Sequence, residues 1–384
     1  MKMLRWAWGC LAVLPLLAGC SGFWDAPVSS TTTTTTTTLG SGYFFVLDVA
    51  TSHVISYNIV SGVLTLVNSY VVPSAPIAIT VAPNNPFLYV STTNGIYVYT
   101  ISGGTLTLSN SQAPISADPA TAMAVDSTDT WLLESSGLGS LNAIPIVATT
   151  GLPNTSAAAC TNKSTVCSVA LTGTAINQIA FAPNNNYLFV AAGTSGSAAY
   201  SFAAGNANPF GSVTTIGLAN ASTGSALTVA VDPSSRLLYI GEAQALSSGG
   251  GLRAFTFAAG PTLTEIPGSP YASGGTGPHA ILPKASGDAV YVANWNGTGS
   301  GNVAGFAIAV NGTSYSLTRL SSTATTGVQP MSIAEDSDQN FVLVENFGGS
   351  PNLDAYFFDK TTSTQLDLSI VDSSYAGTAL AAAH

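Results

Sequence analysis

From Gly42 onward the chain repeats one pattern of apolar and polar positions. An apolar stretch with alternating side chains leads into a turn rich in Pro, Asn, Asp or Ser, and a second apolar stretch follows; the clearest copy runs from Ala78 to Val90. Alternation with a period of two predicts β-strands. Weaker third and fourth strands complete each unit, as 95–101 and 105–108 do after the clearest copy.

The unit recurs at a nearly constant interval. Six copies follow one another at spacings of 44, 56, 50, 52 and 52 residues. They are aligned on the turn positions Pro83, Ser127, Pro183, Pro233, Ala285 and Ser337. A period near 50 residues with four strands in each unit is typical of the blades of a β-propeller.

A seventh blade is split between the two ends of this region. Tyr43–Val46 matches a second strand that no first strand precedes, whereas Ala379–His384 matches 78–83 position by position. Such closure removes the open sheet edge on which a linear repeat would aggregate. We therefore predict an all-β fold over 42–384, a seven-bladed β-propeller closed by the C-terminal strand, which completes the first blade.

Three motifs carry a family resemblance. They are Leu88-Tyr89-Val90, Val290–Asn294, and the Gly277-Pro278-His279 that precedes a first strand. With these motifs the chain resembles the lactonase-type seven-bladed propellers, which include 6-phosphogluconolactonase-like enzymes and YVTN-repeat surface proteins. The resemblance covers Gly42 to His384 and implies the propeller fold. Because the same blades serve enzymes and binding proteins, it leaves the activity open.

Composition excludes several classes of protein. Charged residues make up 7% of the chain and hydrophobic residues 46%, and 38 Gly and 20 Pro indicate many turns. This composition excludes a disordered chain and a coiled coil. The formal charge of -10 repels phosphate, so we predict no nucleic-acid partner.

The N-terminal segment has the pattern of an export signal. Lys2 and Arg5 precede an apolar stretch from Trp6 to Ala18, which is short for a membrane span but fits a signal peptide. The stretch ends in Leu17-Ala18-Gly19-Cys20, which resembles the bacterial lipobox, in which cleavage before the cysteine leaves a lipid-bearing terminus. An ordinary cleavage site is the alternative.

This pattern sets the predicted domains and location. We predict a lipoprotein signal peptide over 1–19, a lipidated N-terminus with a Ser/Thr-rich linker over 20–41, and the propeller over 42–384. Lipid on Cys20 would attach the protein to a bacterial membrane without spanning it. Ser21, which follows this cysteine, favours the outer membrane over the inner one, with the protein facing the periplasm or the cell surface.

Two cysteines remain in the predicted propeller. Cys160 and Cys167 lie seven residues apart in a polar loop of an exported chain, which favours a disulfide. Zinc is the alternative, but no second cysteine pair or histidine lies nearby in the sequence. Asp336–Asn340 has oxygen ligands at alternate positions, yet the same place in every blade is a hairpin turn. We predict no metal and no cofactor.

The ends of the first two strands of each blade give the candidate site. The first strands should line the central channel, starting at Thr378, Ile77, Thr121, Asn177, Leu227, His279 and Met331. We expect the second-strand ends to converge on the same mouth. They supply the candidate ligand-binding residues Asp48, Glu134, Asn294 and Asn346, and Trp295 follows one of them and could stack on a sugar ring or pack on the adjacent blade.

His279 is the one histidine on this ring. As a catalytic residue it would act as general base, with Glu242 or Glu345 as its carboxylate partner. The alternative is an imidazole that caps a backbone carbonyl in an inter-blade turn. No basic residue occupies a ring position, so an uncharged sugar lactone, a polyol or a cation fits the mouth better than a phosphate ester. Pro76-Ile77 and Pro330-Met331 replace the Pro-His strand starts that the resemblance implies.

Two functions follow. The first is a lipid-anchored, exported propeller that acts as a binding or scaffold module on the bacterial envelope, where an envelope protein or a glycan would be its partner. The second is a lactone hydrolase, a carboxylic-ester hydrolase acting on a sugar lactone through His279. We expect a monomer whose contact with the membrane is made through its lipid anchor alone.

Overall fold

A computed structural model describes residues 42–383 except 61–62, 138, 157–159, 161–165, 172–174, 260, 338, 349–351, 359–365 and 373–376. The predicted signal peptide, Cys20 and the linker lie outside the described residues. In the described part of the chain, no helix has both the length and the apolar character that a membrane crossing requires. Residues 40–384 form one compact unit.

The described residues form 28 strands and one turn of 3₁₀ helix at Asn110–Gln112. The strands are, in chain order, β1 (Tyr43–Asp48), β2 (His53–Val60), β3 (Val63–Val71), β4 (Pro76–Val81), β5 (Phe87–Thr92), β6 (Gly95–Ser102), β7 (Thr105–Leu108), β8 (Ala120–Val125), β9 (Trp131–Ser136), β10 (Ser140–Pro145), β11 (Cys167–Ala170), β12 (Gln178–Phe181), β13 (Tyr187–Ala191), β14 (Ser197–Phe202), β15 (Phe210–Ile216), β16 (Ser225–Val231), β17 (Leu237–Leu246), β18 (Gly249–Ala258), β19 (Thr262–Glu265), β20 (Tyr271–Ala272), β21 (Gly277–Pro283), β22 (Ala289–Asn296), β23 (Gly299–Asn311), β24 (Ser314–Glu335), β25 (Phe341–Gly348), β26 (Leu353–Phe358), β27 (Leu366–Asp372) and β28 (Gly377–Ala383).

Within the described ranges these strands pair into six antiparallel sheets. Their strand orders are β28-β1-β2-β3, β4-β5-β6-β7, β8-β9-β10-β11, β12-β13-β14-β15, β16-β17-β18-β19 with β20 beside β18, and β21 to β27 in sequence. In the seven-stranded sheet, β24 runs for 22 residues and pairs with both β23 and β25. The six sheets agree with the predicted seven blades if this sheet is counted as two blades, with β24 belonging to both.

The two ends of the propeller meet in one sheet. β1 pairs antiparallel with β28, so that Tyr43 lies opposite Ala383 and Val46 opposite Leu380. The inner strands β28, β4, β8, β12, β16, β21 and β24 each contact the next, and β24 contacts β28 again. The prediction of an all-β propeller closed by its C-terminal strand is confirmed.

Apolar side chains of the second strands fill the space between neighbouring blades. Leu88, Tyr89 and Val90 of β5 are fully buried, and Tyr89 belongs to the same apolar cluster as Leu132 and Ile144 of the next blade. Burying one such side chain stabilises the fold by about 1.5–3 kcal/mol. The aromatic side chain at this repeated position therefore packs one blade against the next.

Aspartates shape the hairpin turns between first and second strands. Asp126, Asp232 and Asp336 each accept hydrogen bonds from the backbone N–H groups four and five residues later. Asn185 in the next blade's turn donates to Asp126 over 2.8 Å. These carboxylates thus accept hydrogen bonds from the backbone N–H groups of the turns. Asp336 has this role in the hairpin turn that its place in the repeat predicts.

The predicted disulfide between Cys160 and Cys167 is confirmed, with 5.3 Å between their Cα atoms. Both cysteines are buried in the apolar cluster that contains Trp131 and Tyr200. The bond therefore joins Cys167, at the start of β11, to Cys160 within this cluster.

Candidate functional site

The inner strands surround a cavity of about 400 Å³ at one end of the channel. Six of the seven predicted strand starts line it, namely Ile77, Thr121, Asn177, Leu227, His279 and Met331. The side chain of Thr378, the seventh, lies outside the described residues. The cavity is therefore built from the residues expected to line the channel mouth.

Backbone irregularities position most of these side chains. A shift of register falls at five of the starts, at Ile77, Thr121, Leu227, His279 and Met331. An extra residue in one strand bends it and changes the direction of its side chain. The bulges thus place one residue of each such strand in the cavity lining.

His279 stacks on Trp295 at the edge of the cavity. Their ring centroids lie 3.8 Å apart with an angle of 15° between the planes. Burial lowers the pKa of His279 to about 4, since the charged imidazolium loses hydration. The imidazole is thus neutral at pH 7 and only a weak base. Trp295 does not itself line the cavity, and His279 covers one face of its indole.

The predicted carboxylate partner Glu242 is committed to another group. Its Oε1 lies 2.8 Å from Arg253 Nη1, and its Oε2 accepts the Ala219 backbone N–H over 2.9 Å. Arg253 also contacts Glu265 over 2.7 Å. Arg253 of β18 therefore neutralises the charge of Glu242.

Glu345, the other predicted partner, is fully buried in β25. Neither carboxyl oxygen has a hydrogen-bond partner among the described residues, and burial raises the pKa of Glu345 well above its usual range. Burial therefore favours the protonated form of this carboxyl group. Glu345 lies opposite Ser332 in the strand pairing of β24 with β25. Ser332 lines the cavity, whereas Glu345 is not among its lining residues. Among the described residues, His279 makes no hydrogen bond or ion pair with either glutamate, so their catalytic role stays a prediction.

The remaining second-strand candidates are buried and hydrogen-bonded to neighbouring groups. Asp48 Oδ1 accepts the Ala50 N–H over 3.0 Å; Asn294 donates to the Ser273 carbonyl and Asn346 to Asp354, each over 2.9 Å. Glu134 accepts from Ser116 and Asn142, each over 3.3 Å, and burial raises its pKa. Within the described part of the chain, none of these four lines the cavity, so their role in binding a ligand stays a prediction.

A second cavity, of about 560 Å³, lies further along the inner strands. It shares five lining residues with the first, namely Ile79, Met123, Gln178, Ile179 and Leu380. The two cavities therefore adjoin along the channel. No Asp, Glu, Lys or Arg lines either of them among the residues described.

Gln178 is a polar channel residue that the sequence reasoning missed. Its Oε1 accepts the Val229 N–H over 3.1 Å and also contacts the Thr228 hydroxyl. The available signal was its position directly after Asn177, where two polar residues open an otherwise apolar strand. Its amide oxygen binds the neighbouring inner strand, so Gln178 joins two blades as well as lining the channel.

Comparison with solved structures shows the fold. A proposed 6-phosphogluconolactonase from Bacteroides uniformis superposes with a TM-score of 0.69 and 15% identity, covering 90% of this chain and 100% of that chain. The chain has the fold of these propellers. A second proposed 6-phosphogluconolactonase, from Bacteroides fragilis, gives 0.67 and 13%, covering 91% and 99% of the two chains.

A periplasmic gluconolactonase from Pseudomonas aeruginosa is also similar, with a TM-score of 0.66 and 15% identity over 90% of this chain and 99% of that one. No protein-family profile and no curated protein matches the sequence. At such identities the likeness shows the lactonase-type propeller fold and not the activity.

Proposed function

We propose that this protein is an exported, lipid-anchored propeller that binds a small uncharged ligand at the mouth of its channel. The observation that carries the proposal is the cavity of about 400 Å³, whose described lining has no charged side chain. A concave site in which a few placed polar groups orient the ligand is the usual form of a small-molecule site. Thr121, Asn177 and neutral His279 supply those polar groups.

A phosphorylated ligand fits this mouth poorly. Phosphate is bound in proteins by Arg or Lys, and no such residue lines the described cavity. Arg253, the cation that comes into contact with a second-strand end, is occupied by two glutamates. An uncharged ligand needs no such counter-charge.

The N-terminal sequence supports the proposed location. The apolar stretch before Leu17-Ala18-Gly19-Cys20 has the pattern of a lipoprotein signal, and a lipid on Cys20 would hold the propeller at the envelope. In this setting the propeller would act as a binding module, with an envelope protein or a glycan as the source of the ligand group.

Hydrolysis of an uncharged lactone is the second candidate. Neutral His279 beside the cavity favours it, because a neutral imidazole can take a proton from an attacking water. The gluconolactonase from Pseudomonas aeruginosa shares the fold. A pKa of about 4 makes His279 a weak base, so binding is the leading proposal.

One set of measurements separates these functions. Glucono-δ-lactone and its 6-phosphate are added to residues 40–384, with binding followed by calorimetry and ring opening by NMR. We expect the uncharged lactone to bind more tightly, and Leu227→Trp, which fills the mouth, to abolish binding. Tighter binding of the phosphate ester would contradict the proposal.

Two histidine variants test the alternative. Loss of ring opening in His279→Gln, with full activity in the matched control His53→Gln, would establish hydrolysis. His53 lies on β2, where its Nδ1 lies 2.7 Å from the Thr51 carbonyl oxygen. Equal background rates for the protein and both variants would exclude the enzyme.

A further inference from the structure

The middle of the channel is ringed by apolar side chains from one level of the inner strands. They lie four residues before the turn position on which the copies align, and we call them the apolar girdle: Ile79, Met123, Ile179, Ile281, Ile333 and Leu380. All six line the mouth cavity, and four of them also line the second cavity. The girdle therefore lies where the two cavities adjoin.

A water molecule at the level of the apolar girdle gains few hydrogen bonds. A water molecule inside a protein is held by two to four hydrogen bonds, and the girdle side chains offer none. Gln178 is the polar side chain common to both cavities among those described, and its amide oxygen already accepts from β16. An apolar occupant would therefore be favoured over water at this level.

The mouth has different chemistry from the girdle. Thr121 and Asn177 are exposed there, and Asn177 Nδ2 donates to the Ala226 carbonyl over 2.8 Å. Neutral His279 adds a ring nitrogen that can donate or accept. Uncharged hydrogen-bonding groups thus lie at one end, and the saturated side chains of the girdle lie next to them, before Thr80 and Ser127 of the second cavity.

We propose that the ligand carries an unbranched alkyl chain that runs through the apolar girdle, with an uncharged polar head at the mouth. This inference rests on the proposed function and names the class of ligand for the same site. A linear chain fits because the two adjoining cavities, of about 400 and 560 Å³, follow one another along the inner strands. The head group makes the polar contacts and the chain supplies most of the affinity.

A homologous series of ligands tests the proposal. Primary alcohols from butanol to decanol are titrated into residues 40–384 by calorimetry. Each added methylene that enters the girdle should tighten binding about fourfold, which corresponds to about 0.8 kcal/mol per CH₂. The series should level off once the chain extends beyond the channel.

Two variants locate the chain. Ala381 and Thr80 line the second cavity and not the mouth cavity, and they belong to different inner strands. Ala381→Phe and Thr80→Phe should each stop the fourfold series at a shorter alcohol while leaving butanol binding unchanged. Ala259→Phe, in an exposed loop, is the matched control and should bind like the unmodified protein.

The outcomes separate this inference from the proposed function. If glucono-δ-lactone or butanol binds but longer alcohols bind no better, the alkyl chain is refuted and the uncharged mouth site stands. If neither the lactone nor any alcohol binds, both proposals fail. A fourfold series that the two variants leave unchanged would place the chain outside the channel and refute the inference.

Discussion

Replacing Arg253 with methionine should destabilise the protein more than any other single change of a described basic residue. The guanidinium lies between two carboxylates, 2.8 Å from Glu242 and 2.7 Å from Glu265, and its side chain is 9% exposed. Methionine keeps much of the side-chain volume but leaves Glu242, which is 1% exposed, without its cation. Breaking a buried pair from one side typically costs about 3–5 kcal/mol.

The matched control is Arg236→Met. Arg236 pairs with Asp232 over 3.1 Å, but its side chain is 36% exposed and Asp232 keeps its backbone hydrogen bonds. Exposed pairs contribute about 0–1 kcal/mol, so the control should lose about 1 kcal/mol or less. Urea denaturation of both variants and the unmodified protein at pH 7 measures the difference.

The pH dependence gives an independent check. In the unmodified protein Arg253 lowers the pKa of Glu265, so the stability from this contact is present above the unfolded pKa and is lost as the pH falls. Arg253→Met lacks this contact at every pH, so it has no such stability to lose as the pH falls. The deficit of the variant should therefore shrink between pH 7 and pH 4. Equal losses in the two arginine variants, or a deficit independent of pH, would refute this reasoning.

Three further predictions concern His279, Glu345 and the closing strand. Because burial lowers the pKa of His279 to about 4, its NMR signals should show a neutral ring from pH 5 to 8, and stability should fall between about pH 6.5 and 4 in the protein but less in His279→Gln. Burial raises the pKa of Glu345, so its contribution to stability is present at low pH and lost as the pH rises; Glu345→Gln should be the less pH-sensitive protein between pH 5 and 8, and parallel profiles would contradict this. Deleting 377–384 removes β28 and leaves the edge of β1 unpaired, so gel filtration should show aggregates that the complete propeller does not form.

The repeat made most of the fold predictable from the sequence. Alternating apolar residues on either side of the turn at Pro83 define two strands, and the match of Ala379–His384 to 78–83 predicts the closure that β28 makes with β1. Both inferences rest on patterns that every copy shares. The length of β24, 22 residues, was not predictable from the sequence. It arises because the connection between two blades also pairs with its neighbouring strands, and no sequence pattern marks that pairing.

The candidate site was predictable only in part. Strand starts follow from the alignment, so the residues that line the channel mouth, His279 among them, could be named. Which side chains the bulges turn inward depends on the backbone register, which the alternation does not specify. The contact between Glu242 and Arg253 joins second and third strands of one sheet, and no pattern in the sequence marks that pair.

The pairing of Val46 with Leu380 sets an order of events for a newly made chain. β1, β2 and β3 leave the ribosome before β28, the strand that completes their sheet. Until β28 pairs, β1 has an unsatisfied backbone edge that can pair with the wrong partner, as partly folded repeat proteins do. The stability of the first sheet thus depends on a strand made more than 300 residues later, and a chain that stops before β28 would expose this edge to other chains.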